Sequence, residues 1–189
     1  MKTVFAFTGS FCNHAASLET LAKLVNDGND VYPVFSPSVC SEDTRFGTAD
    51  DLEREVTRLT GRTPLKTVTE VEETVTKGNF DCVLICPCTG NTAAKIANGI
   101  TDTAVTMAAK CQLRSLRPVL LAIASNDALG ANLKNIGTLS EKKNVFLVPM
   151  VQDDVKNKPM SLVCDFSLVG EALNAAVKGI QLRPMIISL

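Results

Sequence analysis

The sequence has little that would tie it to a nucleic acid or a membrane. Lys and Arg total 19 against 20 Asp and Glu, a formal net charge of −1, and no long run of one sign breaks the pattern. A general electrostatic pull toward polyanions is therefore excluded, and a small molecule or another protein is the expected partner. No apolar stretch approaches membrane-spanning length, and the start "MKTVFAFTGS" reaches a Gly-Ser turn too early for a secretory signal. The expected location is the cytoplasm, so the protein is read as cytoplasmic. The chain also has neither G-x-G-x-x-G nor G-x-x-x-x-G-K-[ST], the ordinary dinucleotide and nucleotide loops, so NAD or ATP is not expected as its own main ligand.

Histidine is equally scarce. His14 is the only one, and it stands far from the C-x-C of Cys86 and Cys88, so no zinc spacing exists and no metal site is expected. The seven cysteines are an odd number in a chain with enough apolar content, 46%, for a core without staples. They read as reduced thiols. Cys12, Cys86 and Cys88 fall near turns, but none has a neighbouring base that would make it a nucleophile.

What is present is an alternation of apolar runs and helical periodicity over 189 residues, the length of one domain, expected to span 1–189. "TVFAFTGS" reads as a strand and turn, with Leu18, Leu21, Ala22 and Val25 on the helix that follows. "DVYPVFS" is a second strand. After "PSVCSEDTRFG" a helix starts at Thr48, with Asp51 placed for a capping box and Leu52, Val56 and Leu59 on one face. A short helix surrounds Val71 and Val75. "FDCVLICP" is apolar nearly throughout, as a central parallel strand covered on both faces would be. Helices follow from about Thr92 and over roughly Ala104 to Leu116, and Pro118 opens the strand "PVLLAIA". "VFLVPM" reads as a fifth strand, "VQDDVKNKPMS" as a polar loop, and Asp165 to Lys178 as a last helix burying Val169, Leu173 and Val177. The tail "GIQLRPMIISL" shows no local partner. Five strands separated by helices predict an α/β fold, a three-layer, doubly wound parallel sheet of Rossmann-like or flavodoxin-like type.

Such sheets bind ligands at the carboxyl ends of their strands, which directs attention to the turns "TGS", "FSPS", "PCTGNT", "ASNDALG" and "MVQDD". Gly9 lets backbone approach a ligand and Ser10 offers a hydroxyl, although a helix cap explains Ser10 on its own. Thr89, Gly90, Asn91 and Thr92 place small polar groups beside open amides at a helix start, an environment for phosphate or the polar edge of a flat ring.

The stretch "P-C-T-G-N-T-A-A-K-I-A-N-G-I-T-D" resembles the P-[AC]-[ST]-[AG]-N-T-x-x-K-x-A-x-G-x-x-D segment of the homo-oligomeric flavin-containing cysteine decarboxylase superfamily, and "TGS" is similar to its first phosphate loop. "DTRFG", "TGNTAAKIANGITDT", "MAAK", "RPVLLAIASNDALGAN" and "VPMVQDD", in that order, resemble one branch of it. Its members are flavoprotein-like subunits from spore-forming bacteria, associated with oxidation of a dihydrodipicolinate-level intermediate to pyridine-2,6-dicarboxylate. The resemblance implies FMN held by Gly9, Ser10, Ser36, Thr89, Gly90, Asn91, Thr92 and Ser125, a homo-oligomer, and NAD(P) only through a separate nicotinamide-binding subunit. Asn126 stands where the decarboxylases have the asparagine of P-A-M-N. Here the chain reads "IASND", and no histidine follows the second strand, so cysteine decarboxylation is disfavoured. Another flavin reaction of the superfamily, or a flavin-holding scaffold without catalysis, is the alternative.

For a dicarboxylate substrate, Arg45 is the first candidate clamp and Lys158 the second, either being an ordinary surface cation otherwise. Asn126 would orient a carboxylate or ring nitrogen. Asp127 would take a proton or simply cap a helix. The helix "TAVTMAAKCQL", with Met107 and Cys111, is a candidate contact between copies, core packing being the other reading.

Overall fold

In the computed structural model, residues 1–187 are described. Alternation along the strands assigns each side chain to one of two cores. In β1 (Lys2–Phe7), β3 (Cys82–Cys88) and β4 (Val119–Ser125), residues Val4, Ala6, Val83, Ile85, Val119 and Leu121 face one way and Phe5, Phe7, Cys82, Leu84, Leu120 and Ala122 the other. Because successive side chains of a strand point to opposite faces, both surfaces of the sheet must be covered. The first is covered by α4 (Val68–Gly78), α5 (Gly90–Ala97), α6 (Ala104–Arg114) and α7 (Leu133–Glu141), through residues such as Val71, Ile96, Ala108 and Leu139. The second is covered by α1 (His14–Asn26), α3 (Ala49–Thr60) and α8 (Val169–Val177), through Leu21, Val56 and Leu173.

With β2 (Asp30–Phe35) and β5 (Val145–Leu147) the parallel strands run in the order β2-β1-β3-β4-β5. This is the flavodoxin-like arrangement, whose order reverses between β1 and β3. The sheet is mixed rather than purely parallel. "VFLVPM" is two strands: β5 stops at Leu147 and β6 (Met150–Val151) begins beyond Pro149, which has no amide to continue a ladder. Inside the stretch read as loop then helix lies β7 (Leu162–Cys164), antiparallel to β6 and to Ala124–Ser125 of β4. The edge of β4 is therefore divided, Val119–Leu121 pairing with β5 and its last two residues with β7.

Local chemistry explains the element ends. Thr48 caps α3 by accepting the Asp51 amide, and its hydroxyl donates to the Asp51 carboxylate, half of the expected box. Thr67 and Glu70 form a complete capping box on α4. The "PSVCS" stretch, assigned no element from sequence, forms the short α2 (Pro37–Ser41), with Pro at its start where a missing amide costs nothing. Three further expectations are corrected. Val177 is exposed, because the buried face of α8 runs through Val169, Ala172, Leu173 and Ala176 and the helix ends one residue later. Met107 and Cys111 are buried in the chain's own core, so they do not offer a contact to another copy. The tail does have partners: Gln181 bonds the backbone of Leu147 in both directions and Ile186 bridges to Met150, while Ser188 and Leu189 lie outside the described residues.

Candidate functional site

The reversal between β1 and β3 brings together the turns after β1, β2 and β3. Thr8 joins two of them. Its buried hydroxyl donates to the Pro87 carbonyl at 2.6 Å and accepts the Thr89 amide at 3.0 Å, across some eighty residues of chain. Thr89 caps α5 by accepting the Thr92 amide at 3.3 Å, and its hydroxyl donates to that of Thr92. The amides of Gly90 and Asn91 precede the first intrahelical bond and carry the positive end of the helix dipole.

These groups open on a cavity of about 390 Å³, completed by Gly9, Ser36, Ser38, Lys95 and Thr103. The Ser36 and Ser38 hydroxyls are 3.1 Å apart. A β-carbon at Gly9 would lie 2.8 Å from Ser38 Oγ, so a side chain there would have to turn the Ser38 hydroxyl aside. Lys95 enters one turn along α5 and binds the Asp102 carboxylate at 2.8 and 2.9 Å; this hydrogen bond holds Asp102 below the usual carboxylate range. Open amides, hydroxyls and one partly neutralised cation are the composition of an anion site.

A second cavity of about 610 Å³ shares Gly9 and Thr89 with the first and extends toward β4, the 153–161 loop and β7. Ser10, Gly90, Ser125, Asn126 and Asp127 are on its wall, with Lys158 and Asp153 at 3.6 Å from one another. Gly90 is confined: an added β-carbon would stand 2.5 Å from both Ser125 Oγ and Asn132 Nδ2. Those two side chains donate to the Asp127 carboxylate, Ser125 at 2.6 Å and Asn132 at 2.9 Å to each oxygen. The Ser125 bond first and the Asn132 bonds second depress the Asp127 pKa. Asp127 is thus an ionised brace with both oxygens engaged, not a poised proton acceptor. Asn126, exposed beside it, has no side-chain hydrogen bond among the described residues.

Nearly all the residues expected from sequence therefore meet: Gly9, Ser36, Thr89, Asn91 and Thr92 at the anion cavity, and Gly9, Ser10, Thr89, Gly90, Ser125, Asn126 and Asp127 at the larger one. Arg45 is the exception. It is exposed on a tight hairpin, its guanidinium carbon 4.8 Å from the centre of the Phe46 ring, and is absent from both walls, whereas Lys158 is present. Thr8, Ser38, Lys95, Thr103, Phe46 and Asn132 are site residues that the sequence reading does not single out. Lys95 has a signal, standing four residues after Asn91 and three after Thr92 and so on their helix face.

The remaining polar candidates are structural. His14 places Nε2 2.9 Å from the Thr8 carbonyl; burial lowers its pKa, with that hydrogen bond acting in the opposite direction. Cys86 and Cys88 are buried, the Cys86 thiol being pushed up to about 12 by desolvation, so neither is a thiolate. All seven cysteines are free. Among the described residues no group of three or more His, Cys, Asp or Glu is placed to hold a metal, and no helix is long and apolar enough to cross a membrane.

Comparison with known proteins agrees with this fold. The B-type subunit of dipicolinate synthase from Bacillus subtilis (strain 168) is 39% identical over 183 residues, 97% of this chain and 92% of that protein. The crystal structure of the B-type dipicolinate synthase subunit from Bacillus halodurans superposes with a TM-score of 0.90 at 35% identity, covering 99% of this chain and 96% of that one. An FMN-dependent cysteine decarboxylase, SpaF, shares the fold at a TM-score of 0.66 and 23% identity, covering 93% and 97% of the two chains. Residues 1–178 match the family described as Flavoprotein, and the chain belongs to that family.

Proposed function

We propose that this chain is the FMN-binding, B-type subunit of a dipicolinate synthase, an oxidoreductase in which it works with the nicotinamide-binding, A-type dipicolinate synthase subunit. The observation carrying this reading is the pair of cavities that share Gly9 and Thr89, one on the α5 terminus lined by hydroxyls and Lys95 and the other of about 610 Å³, in a chain of the Flavoprotein family. The residues fit FMN. Ser36, Asn91, Thr92 and the open α5 amides would hold its phosphate, and the absence of a β-carbon at Gly90 leaves Ser125 and Asn132 in place beside them. FMN bound there supplies hydride-transfer chemistry that no side chain of the protein offers.

The protein's share is binding and orientation. Oxidation of a dihydrodipicolinate-level intermediate removes two electrons and two protons and leaves an aromatic dicarboxylate. Lys158 and Asn126, both on the wall of the larger cavity, would be the cationic and neutral carboxylate partners, with Arg45 an outer cation on its hairpin. Asp127 fixes Ser125 and Asn132 around Gly90 and so shapes the cavity floor. A second reading, in which the chain holds flavin while the nicotinamide-binding partner performs all substrate chemistry, is favoured by the engagement of both Asp127 oxygens. A homo-oligomer remains part of the proposal, with its contact elsewhere than Met107 and Cys111.

The test is absorbance of the purified chain after FMN addition and gel filtration, followed by dipicolinate formation with and without the nicotinamide-binding partner. Retained flavin bands and turnover lost on omitting this chain are expected. An absence of flavin binding would reject the cofactor assignment, and full turnover by the partner in the absence of this chain would reject a catalytic contribution.

A further inference from the structure

Phe46 is 53% exposed, although it borders the ring-end cavity. The hairpin carrying it is set before any ligand arrives. The Thr44 amide donates to the Gly47 carbonyl at 3.0 Å, the Gly47 amide returns a bond to Thr44 at 3.1 Å, and the Phe46 amide donates to Thr44 Oγ1 at 3.1 Å. Gly47 has φ +142°, a conformation that side chains rarely adopt. The hairpin is tied to the start of α3 through Asp43, which accepts the Ala49 amide at 2.9 Å.

Among the described residues, Phe46 and Phe11 are the only aromatic side chains on that wall. Phe11 is occupied, its ring 5.2 Å from that of His14. Phe46 has no aromatic neighbour among the described residues; its ring is met by the Arg45 guanidinium, and a ring has two faces. It also borders a smaller cavity of about 270 Å³ floored by Leu18, Val39 and Leu52, so it forms a partition between the two spaces. An exposed aromatic group on a hydrogen-bonded hairpin, carrying a cation and bordering a cavity lined by both apolar and polar residues, is suited to a flat ring with anionic substituents.

We infer that Phe46 is a specificity-determining residue that packs on the planar ring of a heteroaromatic dicarboxylate, with the Arg45 guanidinium stacked against the Phe46 ring. This rests on the proposed substrate class and adds to it a means of distinguishing flat rings from puckered ones. Phe46 makes no bond to the reacting atoms and acts by positioning.

Calorimetric titration of the FMN-loaded chain with pyridine-2,6-dicarboxylate and with the saturated piperidine-2,6-dicarboxylate separates ring shape from charge. In Phe46→Leu the affinity for the flat ligand should fall about three- to tenfold, the size of an aromatic pair, while that for the puckered one barely moves. Phe46→Tyr should restore the difference. FMN affinity should be unchanged in both variants, which also reports that the hairpin is folded. An equal loss for both ligands, or a parallel loss of FMN, overturns the assignment of Phe46 to the substrate ring. If wild-type protein binds neither ligand, the dicarboxylate reading itself falls, and this inference with it.

Discussion

The two ends of the candidate site are built from different materials. The anion end uses turns immediately after three neighbouring strands, with backbone amides, hydroxyls and the buried Thr8 bond supplying the structure. The ring end is assembled from side chains on separate segments, the turn after β1, the Phe46 hairpin, the turn after β4, the 153–161 loop and β7. Backbone donors tolerate changes in side-chain identity, provided that nothing fills the space above a glycine. Side chains on loops do not, and they are where one member of a fold can differ from another in substrate.

Gly90→Ala should have the largest effect, because Gly90 begins α5 and also lies on the wall of the larger cavity. The new methyl displaces Ser125 and Asn132, breaking the Asp127 brace, at about 1–3 kcal/mol of overpacking. Denaturant unfolding should show this loss and FMN titration a parallel one; wild-type values for both would mean that the floor is soft. A reciprocal pair comes next. Lys158→Gln should weaken pyridine-2,6-dicarboxylate about tenfold and leave FMN untouched, whereas Asn91→Ala should weaken FMN by about five- to tenfold without unfolding the chain, each losing one solvent-accessible hydrogen bond of about 1 kcal/mol. If both variants weaken the same ligand, the division between the ends is wrong.

The smallest effect lies in pH dependence. His14 has its pKa lowered by burial, so the unfolded chain binds the extra proton first. Its contribution to stability is present above the ordinary value of about 6.5 and declines as pH falls below it. Asp127 is depressed from the ordinary carboxylate value, chiefly by the Ser125 hydrogen bond. Its contribution is present above about pH 4 and is lost as pH falls through the lower folded value. His14→Gln should therefore flatten the stability profile just below neutrality and Asp127→Asn only in strong acid. Unfolding curves at a series of pH values would show it, and identical profiles would remove both groups from the account.

Sequence periodicity locates the five parallel strands and the long helices because each spans enough residues for a period of 2 or 3.6 to register. β6 and β7, two and three residues long, carry no such signal, and their pairing is a matter of backbone bonds formed far along the chain. The anion end is readable for a related reason: its glycines, hydroxyls and caps are consecutive in sequence. Arg45 lies at the expected end of the sheet, but the direction in which a hairpin aims its tip depends on Gly47 and Thr44, not on the residue's charge. Asp127 is identifiable from sequence as polar and well located. Its engagement by Asn132 is visible only in the geometry of the turn.

The divided edge of β4 also orders the protein in time. Every residue of the anion cavity has been made once Thr103 is added, whereas the ring end waits for Val163, sixty residues later. At about 5–20 residues per second this is an interval of about 3–12 s. For that interval the nascent chain carries every residue lining the smaller cavity before β7 has been made to occupy the last two residues of β4.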